Sequence, residues 1–141
     1  MLVRLLYASR APREIEHSML ESILDQSRRH NPQAGLTGIL CYSDKIFMQV
    51  LEGNRREVSE LYNKIVRDPR HADVELLLFE EIAERRFSNW TMGQVNLSRV
   101  NPSLLLKYSE KPRLDPFSIG GKYSMALLEE LIATASIVGK G

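Results

Sequence analysis

The chain has 141 residues, 43% of them hydrophobic and 26% charged, which fits one globular domain with a modest addition. Its formal net charge of +1 gives no electrostatic case for binding nucleic acid or an anionic membrane. One cysteine excludes an internal disulfide and suits a reducing compartment, and no apolar run approaches transmembrane length. We therefore expect a cytoplasmic protein, without a metal site because its three histidines are scattered.

The first half of the chain predicts a strand, a helix and a hairpin. Leu2–Ser9 is a short apolar run typical of a strand. Pro12 suits the first turn of a helix, and apolar residues at helical spacing follow from Glu14. This helix should end near Asn31, because the proline that follows disfavours the α conformation just before it. The segments GLTGILCYS and KIFMQVLE then predict two strands joined by a turn.

The second half predicts another helix and further strands. Asn54 is placed as the N-cap of the helix, and Asp68 with the next proline ends it. VELLLFEEI predicts a fourth strand and WTMGQV a short fifth one. A polar connector at 101–121, broken by proline and glycine, leads into a C-terminal helix. The second helix should bury Val58, Leu61, Tyr62, Ile65 and Val66, and the last helix Met125, Leu128, Leu131, Ile132 and Ala135.

The order of these elements predicts an α+β fold, a ferredoxin-like βαββαβ sandwich with an extra edge strand. Right-handed connections would place both helices on one face of the sheet and the first strand beside the third. The third strand is apolar on both faces, so the C-terminal helix, a partner subunit, or both must cover the other face. We expect two units, a domain at 2–95 and a connector with a C-terminal helical cap at 96–141.

A glutamine in the middle of the apolar third strand needs a hydrogen-bond partner. An unpartnered buried amide costs about 1–3 kcal/mol. If the odd-numbered residues of the first and third strands face the helices, Tyr7 and Gln49 are near neighbours. One interpretation is a structural pair in which the hydroxyl and the amide satisfy each other. The other is a ligand with hydrogen-bonding edges, held between the two helices.

Other polar residues point to the same place but have simpler explanations. Asn31 could direct a second amide at a ligand, or could be only a helix C-cap. The segment RDPRH could form a polar rim, or could be only a solvated helix end. Only the convergence of Tyr7, Asn31 and Gln49 on one cleft, with Ile23 and Ile65 as apolar walls, favours the ligand.

At this point the chain resembles the BLUF family, the blue-light sensors that use a flavin. The resemblance lies in LLYASR, HNPQAGLTGIL, FMQVLEG, VRDPRH and RRFSNWTM, in that order. It covers residues 2 to 95 and implies the ferredoxin-like fold with a flavin between the two helices. It also implies FAD as the usual cofactor, although FMN and riboflavin remain possible.

The resemblance implies specific roles. Tyr7 matches the tyrosine that gives an electron and a proton to the excited flavin. Gln49 matches the glutamine that hydrogen-bonds both that tyrosine and the flavin. Asn31 matches the asparagine at the flavin's pyrimidine edge. Trp90 and Met92 match a signal-carrying pair on the last strand, although Trp90 alone could be ordinary core packing. The other implied flavin-site positions are Ser9, Ile23, Ser27, Leu40, Ile65, Arg67, Asp68, Arg70 and His71.

These observations predict a photosensory signalling protein rather than an enzyme. After light-driven transfer from Tyr7, Gln49 would be left with rearranged hydrogen bonds, and the signal would pass along the strand at 90–95 into the C-terminal helix. The output would be binding to an unknown downstream protein or rearrangement of a homo-oligomer. The alternatives are an enzyme of acylphosphatase type, for which the loop after the first strand lacks a glycine, and a ligand-free interaction module.

Overall fold

A computed structural model describes residues 1–134 and gives the following elements. In chain order they are β1 (Leu2–Arg10), α1 (His17–Ala34), β2 (Thr37–Ser43), β3 (Ile46–Asn54), α2 (Arg55–Arg67), β4 (Ala72–Glu81), β5 (Gly93–Asn96), a 3₁₀ turn (Leu97–Arg99), α3 (Pro102–Tyr108) and α4 (Pro116–Ala133). No helix in this part of the chain is long and apolar enough to cross a membrane.

The five strands form one sheet in the order β4-β1-β3-β2-β5. The first four pair antiparallel, and the short β5 is parallel to β2 at the edge. The ferredoxin-like arrangement with an extra edge strand is therefore confirmed, as is the position of β1 beside β3. Their register places Tyr7 directly opposite Gln49.

Each face of the sheet carries its own hydrophobic core. On the face covered by α1 and α2, which we call the helix face, Leu5 and Leu51 pack with Leu24 and Val58. On the face covered by α3 and α4, the cap face, the alternate strand residues pack with the C-terminal helices. The predicted helical extension over the second face is confirmed. Representative residues of the cap-face core are Leu6, Met48, Val50, Leu127, Leu128 and Leu131.

Both ends of α1 differ from their prediction. The helix begins at His17 because the backbone before it binds the β2–β3 turn, with Ala11 N donating to Lys45 O at 2.7 Å. Pro12 therefore lies in the preceding loop. The helix runs past Asn31 and ends at Gly35, whose φ of 69° suits glycine. It tolerates a proline in its last turn, because proline forgoes only its own N–H bond there.

In the second half of the chain, the predicted N-cap of α2 is confirmed, and two other predictions are wrong. Asn54 caps α2 as predicted, accepting from Arg56 N at 2.9 Å. Val66, expected in the core, is 49% exposed. The connector contains α3, which the sequence pattern missed because it is only seven residues long; its proline start and Asn101 cap are local signals.

The C-terminal helix also starts earlier than expected. It begins before the glycine pair and continues across a kink at Gly120, whose φ is 78°. Its apolar stripe is buried as predicted at Met125, Leu128 and Leu131. Ala135, predicted to extend that stripe, lies outside the described residues.

The fifth strand is shorter than WTMGQV suggested. It starts at Gly93, so Trp90 and Met92 precede the strand rather than lie on it. The reason is a turn, in which Trp90 N donates to Phe87 O at 3.2 Å while Trp90 O accepts from Gly38 N at 3.1 Å. A regular ladder with β2 begins only after this turn.

Candidate functional site

A cleft of about 220 Å³ lies between α1 and α2 on the helix face. Ile23 of α1 and Ile65 of α2 both line it, and Gln49 lies on its wall. The cleft therefore combines apolar sides with polar groups from the sheet and the helix ends, as small-molecule sites commonly do. Its lining is Ile23, Gln26, Ser27, His30, Asn31, Gln49, Leu61, Lys64, Ile65, Asp68, Arg70 and His71.

Tyr7 and Gln49 form a buried pair, in which Gln49 lines the cleft and Tyr7 does not. The Tyr7 hydroxyl donates a hydrogen bond to Gln49 Oε1. Burial raises the pKa of the Tyr7 phenol well above its ordinary value, and the nearby Asp68 carboxylate raises it further. Tyr7 is therefore a protonated phenol at neutral pH, which makes it a hydrogen-bond donor and a source of one proton.

The nitrogen of the same amide contacts Met92. Gln49 Nε2 donates to Met92 Sδ at 3.3 Å, and Met92 is fully buried against the helix-face core. Trp90 lies on the other side of the sheet, half-buried against the cap-face core. Of the two residues before β5, Met92 is thus the neighbour of Gln49, through a weak sulfur acceptor.

Asn31 presents an unpaired oxygen at the cleft. The residue is fully buried, and its Nδ2 donates to Thr91 O at 2.7 Å. Its Oδ1 is buried without a hydrogen-bond partner. Leaving a buried acceptor unpaired costs about 1–3 kcal/mol, so this oxygen fits a donor on a molecule held in the cleft.

An arginine–aspartate pair closes one rim of the cleft. The Arg70 guanidinium binds both carboxylate oxygens of Asp68, Oδ2 at 2.6 Å and Oδ1 at 3.1 Å. Burial pushes the pKa of the Asp68 carboxyl up, but the Arg70 hydrogen bonds and charge outweigh it and hold that pKa below its ordinary value. Arg70 also reaches across to α1, where it donates to Gln26 Oε1 at 2.7 Å. The rim therefore joins the α2–β4 loop to α1.

His71 lies deeper, with its Nδ1 2.7 Å from Ser9 Oγ. Burial lowers the pKa of His71 to about 4, and the positive charge of Arg70 adds to this effect although Asp68 opposes it. The ring is therefore neutral at physiological pH and packs against Phe47 in a tilted arrangement, with centroids 4.9 Å apart. Ser9 is fully buried and contributes to the cleft only through His71.

The other positions drawn from the sequence fall in different places. Ser27 lines the cleft, and its hydroxyl donates to Ile23 O at 3.1 Å. Leu40 is fully buried opposite Gln49 on β2 but does not line the cleft. Arg67 is exposed and does not line the cleft either.

Sequence reasoning missed four lining residues, Gln26, His30, Leu61 and Lys64. All four lie on the helices, three or four positions from a predicted site residue, as Gln26 and His30 do from Ile23 and Ser27. Helical periodicity could therefore have found them, because residues at this spacing share one face.

A larger groove of about 800 Å³ lies on the cap face between β5, α3 and α4. It is more open to solvent than the cleft. Two of its charged groups already bind one another, Lys107 Nζ to Glu130 Oε1 at 2.6 Å. The smaller cleft, by contrast, holds the unpaired Asn31 Oδ1 and the buried His71, whose pKa is well below its ordinary value, so we take it as the candidate functional site.

Curated proteins with related sequences are light-regulated. The chain is 38% identical over 92 residues to photoactivated adenylate cyclase subunit beta of Euglena longa, covering 64% of this chain but 11% of that protein. It is 34% identical over 97 residues to the blue light- and temperature-regulated antirepressor BluF of Escherichia coli K12. That match covers 69% of this chain and 24% of BluF. The chain thus spans only a small part of these relatives.

Solved structures match almost the whole chain. The photo-activated state of BlsA superposes with a TM-score of 0.84 at 32% identity, covering 94% of this chain and 95% of BlsA. The dark state of BlrB superposes with a TM-score of 0.80 at 34% identity, covering 95% of this chain and 96% of BlrB. BlrP1 of Klebsiella pneumoniae, solved with FMN and cyclic diGMP, gives 0.70 at 28%, covering 96% of this chain and 35% of BlrP1.

The family model that matches residues 2–93 is BLUF, sensors of blue light using FAD. Its match covers well over half of the chain and includes every strand except most of β5. It describes a sensor rather than an enzyme, which disfavours the acylphosphatase alternative. This chain belongs to the BLUF family of blue-light flavin sensors.

Proposed function

We propose that this chain senses blue light through a flavin held without a covalent bond in the cleft between α1 and α2. One observation carries the proposal: Gln49, buried and hydrogen-bonded to Tyr7, lines a cleft in which Asn31 Oδ1 lacks a donor. A purely structural pair would account for Tyr7 and Gln49. It would not account for the unpaired oxygen beside them.

The residues present fit a flavin. An isoalloxazine ring is flat, and its pyrimidine edge carries an N–H donor between carbonyl acceptors. Asn31 Oδ1 would accept from such an N–H, and the amide of Gln49 would bind an acceptor on the ring. Ile23 and Ile65, on opposite helices, would cover the two flat surfaces of the ring.

Tyr7 and Gln49 carry the proposed light response. A bound flavin would supply a strong oxidant when it absorbs blue light. Tyr7 is the donor of one electron and of its phenolic proton, because it is buried, protonated and hydrogen-bonded to Gln49. Gln49 exchanges its hydrogen bonds as the proton moves and returns, so its bonds to Tyr7 and Met92 differ between the dark and lit states.

A single amide cannot drive the output alone. A net hydrogen bond is worth about 0.5–1.5 kcal/mol, whereas shifting a two-state element from 1:99 to 99:1 needs about 5.5 kcal/mol. The change at Gln49 must therefore recruit further contacts. We propose that it does so through Met92, then β5, and then the α3 and α4 helices of the cap face.

For the cofactor we propose FAD, with FMN and riboflavin as alternatives. The cleft of about 220 Å³ suits the ring system, so the tail would leave through the mouth, where His30, Lys64 and Arg70 lie. We expect these side chains to bind a phosphate of the flavin tail. We do not expect them to select for the adenine group that distinguishes FAD from FMN. The family description names FAD, and the BlrP1 structure contains FMN.

We propose residues 2–95 as the sensor and 96–141 as the segment that passes the signal to another protein, in the cytoplasm. The relatives named above include a cyclase subunit and an antirepressor, so regulation of an effector is the expected kind of output. A homo-oligomer is the proposed assembly, with the exposed part of the cap helices as its contact.

The colour of the purified protein tests this proposal. We expect a yellow protein that releases a flavin on denaturation, and whose absorbance shifts slightly to the red under blue light and returns in the dark. Chromatography of the released flavin distinguishes FAD, FMN and riboflavin. A protein that stays colourless after incubation with excess flavin would refute the proposal.

A further inference from the structure

A buried carboxylate on the cap face takes no part in the flavin chemistry proposed above. Glu52 follows Gln49 by three residues on β3, so the two side chains lie on opposite faces of the sheet. Glu52 is fully buried, although glutamate is rarely buried unless it is paired. It belongs to the same FMQVLEG motif as Gln49 and must have several partners to be stable there.

Its partners come from two other parts of the chain. Arg4 of β1, directly opposite in the sheet, binds Glu52 through Nε at 2.8 Å and through a second nitrogen at 2.7 Å. The backbone N–H groups of Arg86 and Phe87 donate to the same carboxylate at 3.0 and 2.7 Å. Glu52 therefore joins β3 to β1 and to the RRFSNWTM motif before β5.

Both ends of that motif are tied to β3. Residues 86–92, which we call the 86–92 segment, start at the Glu52 contact and end at Met92, whose Sδ accepts from Gln49 Nε2 at 3.3 Å. The two ties differ in strength. Hydrogen bonds to a carboxylate are about twice as strong as neutral ones, whereas a thioether is a weak acceptor. A change at Gln49 should therefore disturb the Met92 side-chain contact before the Glu52 contact.

We propose that Glu52 is a positioning residue for the light response. It holds the start of the 86–92 segment to β3, so that Met92 lies at a set distance from Gln49. A change at Gln49 then moves the Met92 end and β5 rather than the whole segment. The inference rests on the proposed function, because it describes how Gln49 passes its change on.

The matched variants are Glu52→Gln and Glu80→Gln in the flavin-loaded protein. Glu80 binds the same arginine, Arg4, at 3.0 Å, but its carboxylate is half exposed, and the Arg86 and Phe87 amides donate to Glu52 instead. The sole tryptophan of the chain, Trp90, lies within the segment and reports its mobility by acrylamide quenching of fluorescence. Hydrogen exchange at the Arg86 and Phe87 amides reports on their hydrogen bonds to the Glu52 carboxylate.

We expect Glu52→Gln to raise Trp90 quenching and the exchange rates of both amides by roughly two- to tenfold in the dark, the range for one net hydrogen bond. Glu80→Gln should stay within about twofold of the parent, well inside that range. Both variants should keep the light-induced absorbance shift. Unchanged quenching and exchange in Glu52→Gln, equal changes in Glu80→Gln, or loss of the absorbance shift in Glu52→Gln would each overturn the proposal.

If Glu52→Gln does not fold, hydrogen exchange in the parent chain tests the positioning role of Glu52 instead. The Arg86 and Phe87 amides should stay protected in dark and light, while exchange at 91–93 changes on illumination. Equal light-induced changes at both ends would overturn the positioning role. A parent chain without any absorbance shift refutes the proposed function instead, and the dark protection of Arg86 and Phe87 then still shows whether Glu52 holds the segment.

Discussion

The two faces of the sheet bury polar side chains in different ways. On the helix face, Tyr7 and Gln49 lie beside a cleft, and the neighbouring Asn31 oxygen has no partner. On the cap face, the buried Glu52 carboxylate receives bonds from Arg4 and from the backbone amides of Arg86 and Phe87. Satisfied polar groups hold a structure together, whereas an unsatisfied one beside a cavity fits a ligand. The contrast between these two clusters separates the proposed sensing site from the Glu52 contact that holds the 86–92 segment.

The largest expected effect comes from the polar pair of the helix face. Replacing Tyr7 with Phe removes the hydroxyl that Gln49 accepts from, and Gln49→Leu removes the amide. Either variant should still bind flavin, because the cleft walls remain, but should lose the light-induced absorbance shift completely. Absorbance spectra before and during blue illumination check this. A normal shift in either variant would contradict its assigned role.

A core deletion on the cap face should lower stability without touching the photochemistry. Leu128→Ala leaves a cavity among fully buried side chains and should lower the free energy of unfolding by about 2–5 kcal/mol. Leu106→Ala, on the half-exposed side of α3, is the control and should change it by less than about 0.5 kcal/mol. Urea unfolding measures both. Loss of the absorbance shift in folded Leu128→Ala would contradict the separation of the two faces.

His71 should make the helix face sensitive to acid. Its folded pKa of about 4 lies below the ordinary value of 6.5, so the unfolded chain binds the proton first as pH falls. The stability that neutral His71 contributes is complete above about pH 6.5 and is lost towards pH 4. Between about pH 7 and pH 5 the loss should be about 2 kcal/mol.

Urea unfolding at these two pH values measures that loss. His71→Gln should show a smaller loss of stability than the parent, and His17→Gln, which alters an exposed histidine, should match the parent. Equal losses in all three proteins would mean that His71 is not the group responsible.

The smallest effects should come from the rim of the cleft. Arg70→Ala breaks the contacts to Asp68 and Gln26 and should weaken flavin binding by roughly two- to tenfold, the range for one net hydrogen bond. Arg67→Ala, at an exposed position outside the cleft lining, should have less effect. Titration of flavin fluorescence compares the two. An equal loss of affinity in both would place Arg67 at the flavin as well.

Local patterns were sufficient for the four long strands, for the existence of α1 and α2, and for the faces of the strands. The two-residue period of a strand places Tyr7 and Gln49 on one face, and the register between β1 and β3 brings them together as predicted. The end of α1 was wrong because the proline rule describes a tendency, which Gly35 and its left-handed conformation override. The short α3 was missed because seven residues show too few helical repeats.

The sequence by itself determined the fold class, the family and the polar pair at the centre of the site, since these depend on period, order and residue type. Only the tertiary structure decided that Met92 rather than Trp90 meets Gln49, that Asn31 keeps an unpaired oxygen, and that Glu52 binds the segment before β5. Each of these depends on contacts between residues 35 or more positions apart. No local pattern encodes such contacts, because loops and packing choose which distant groups meet.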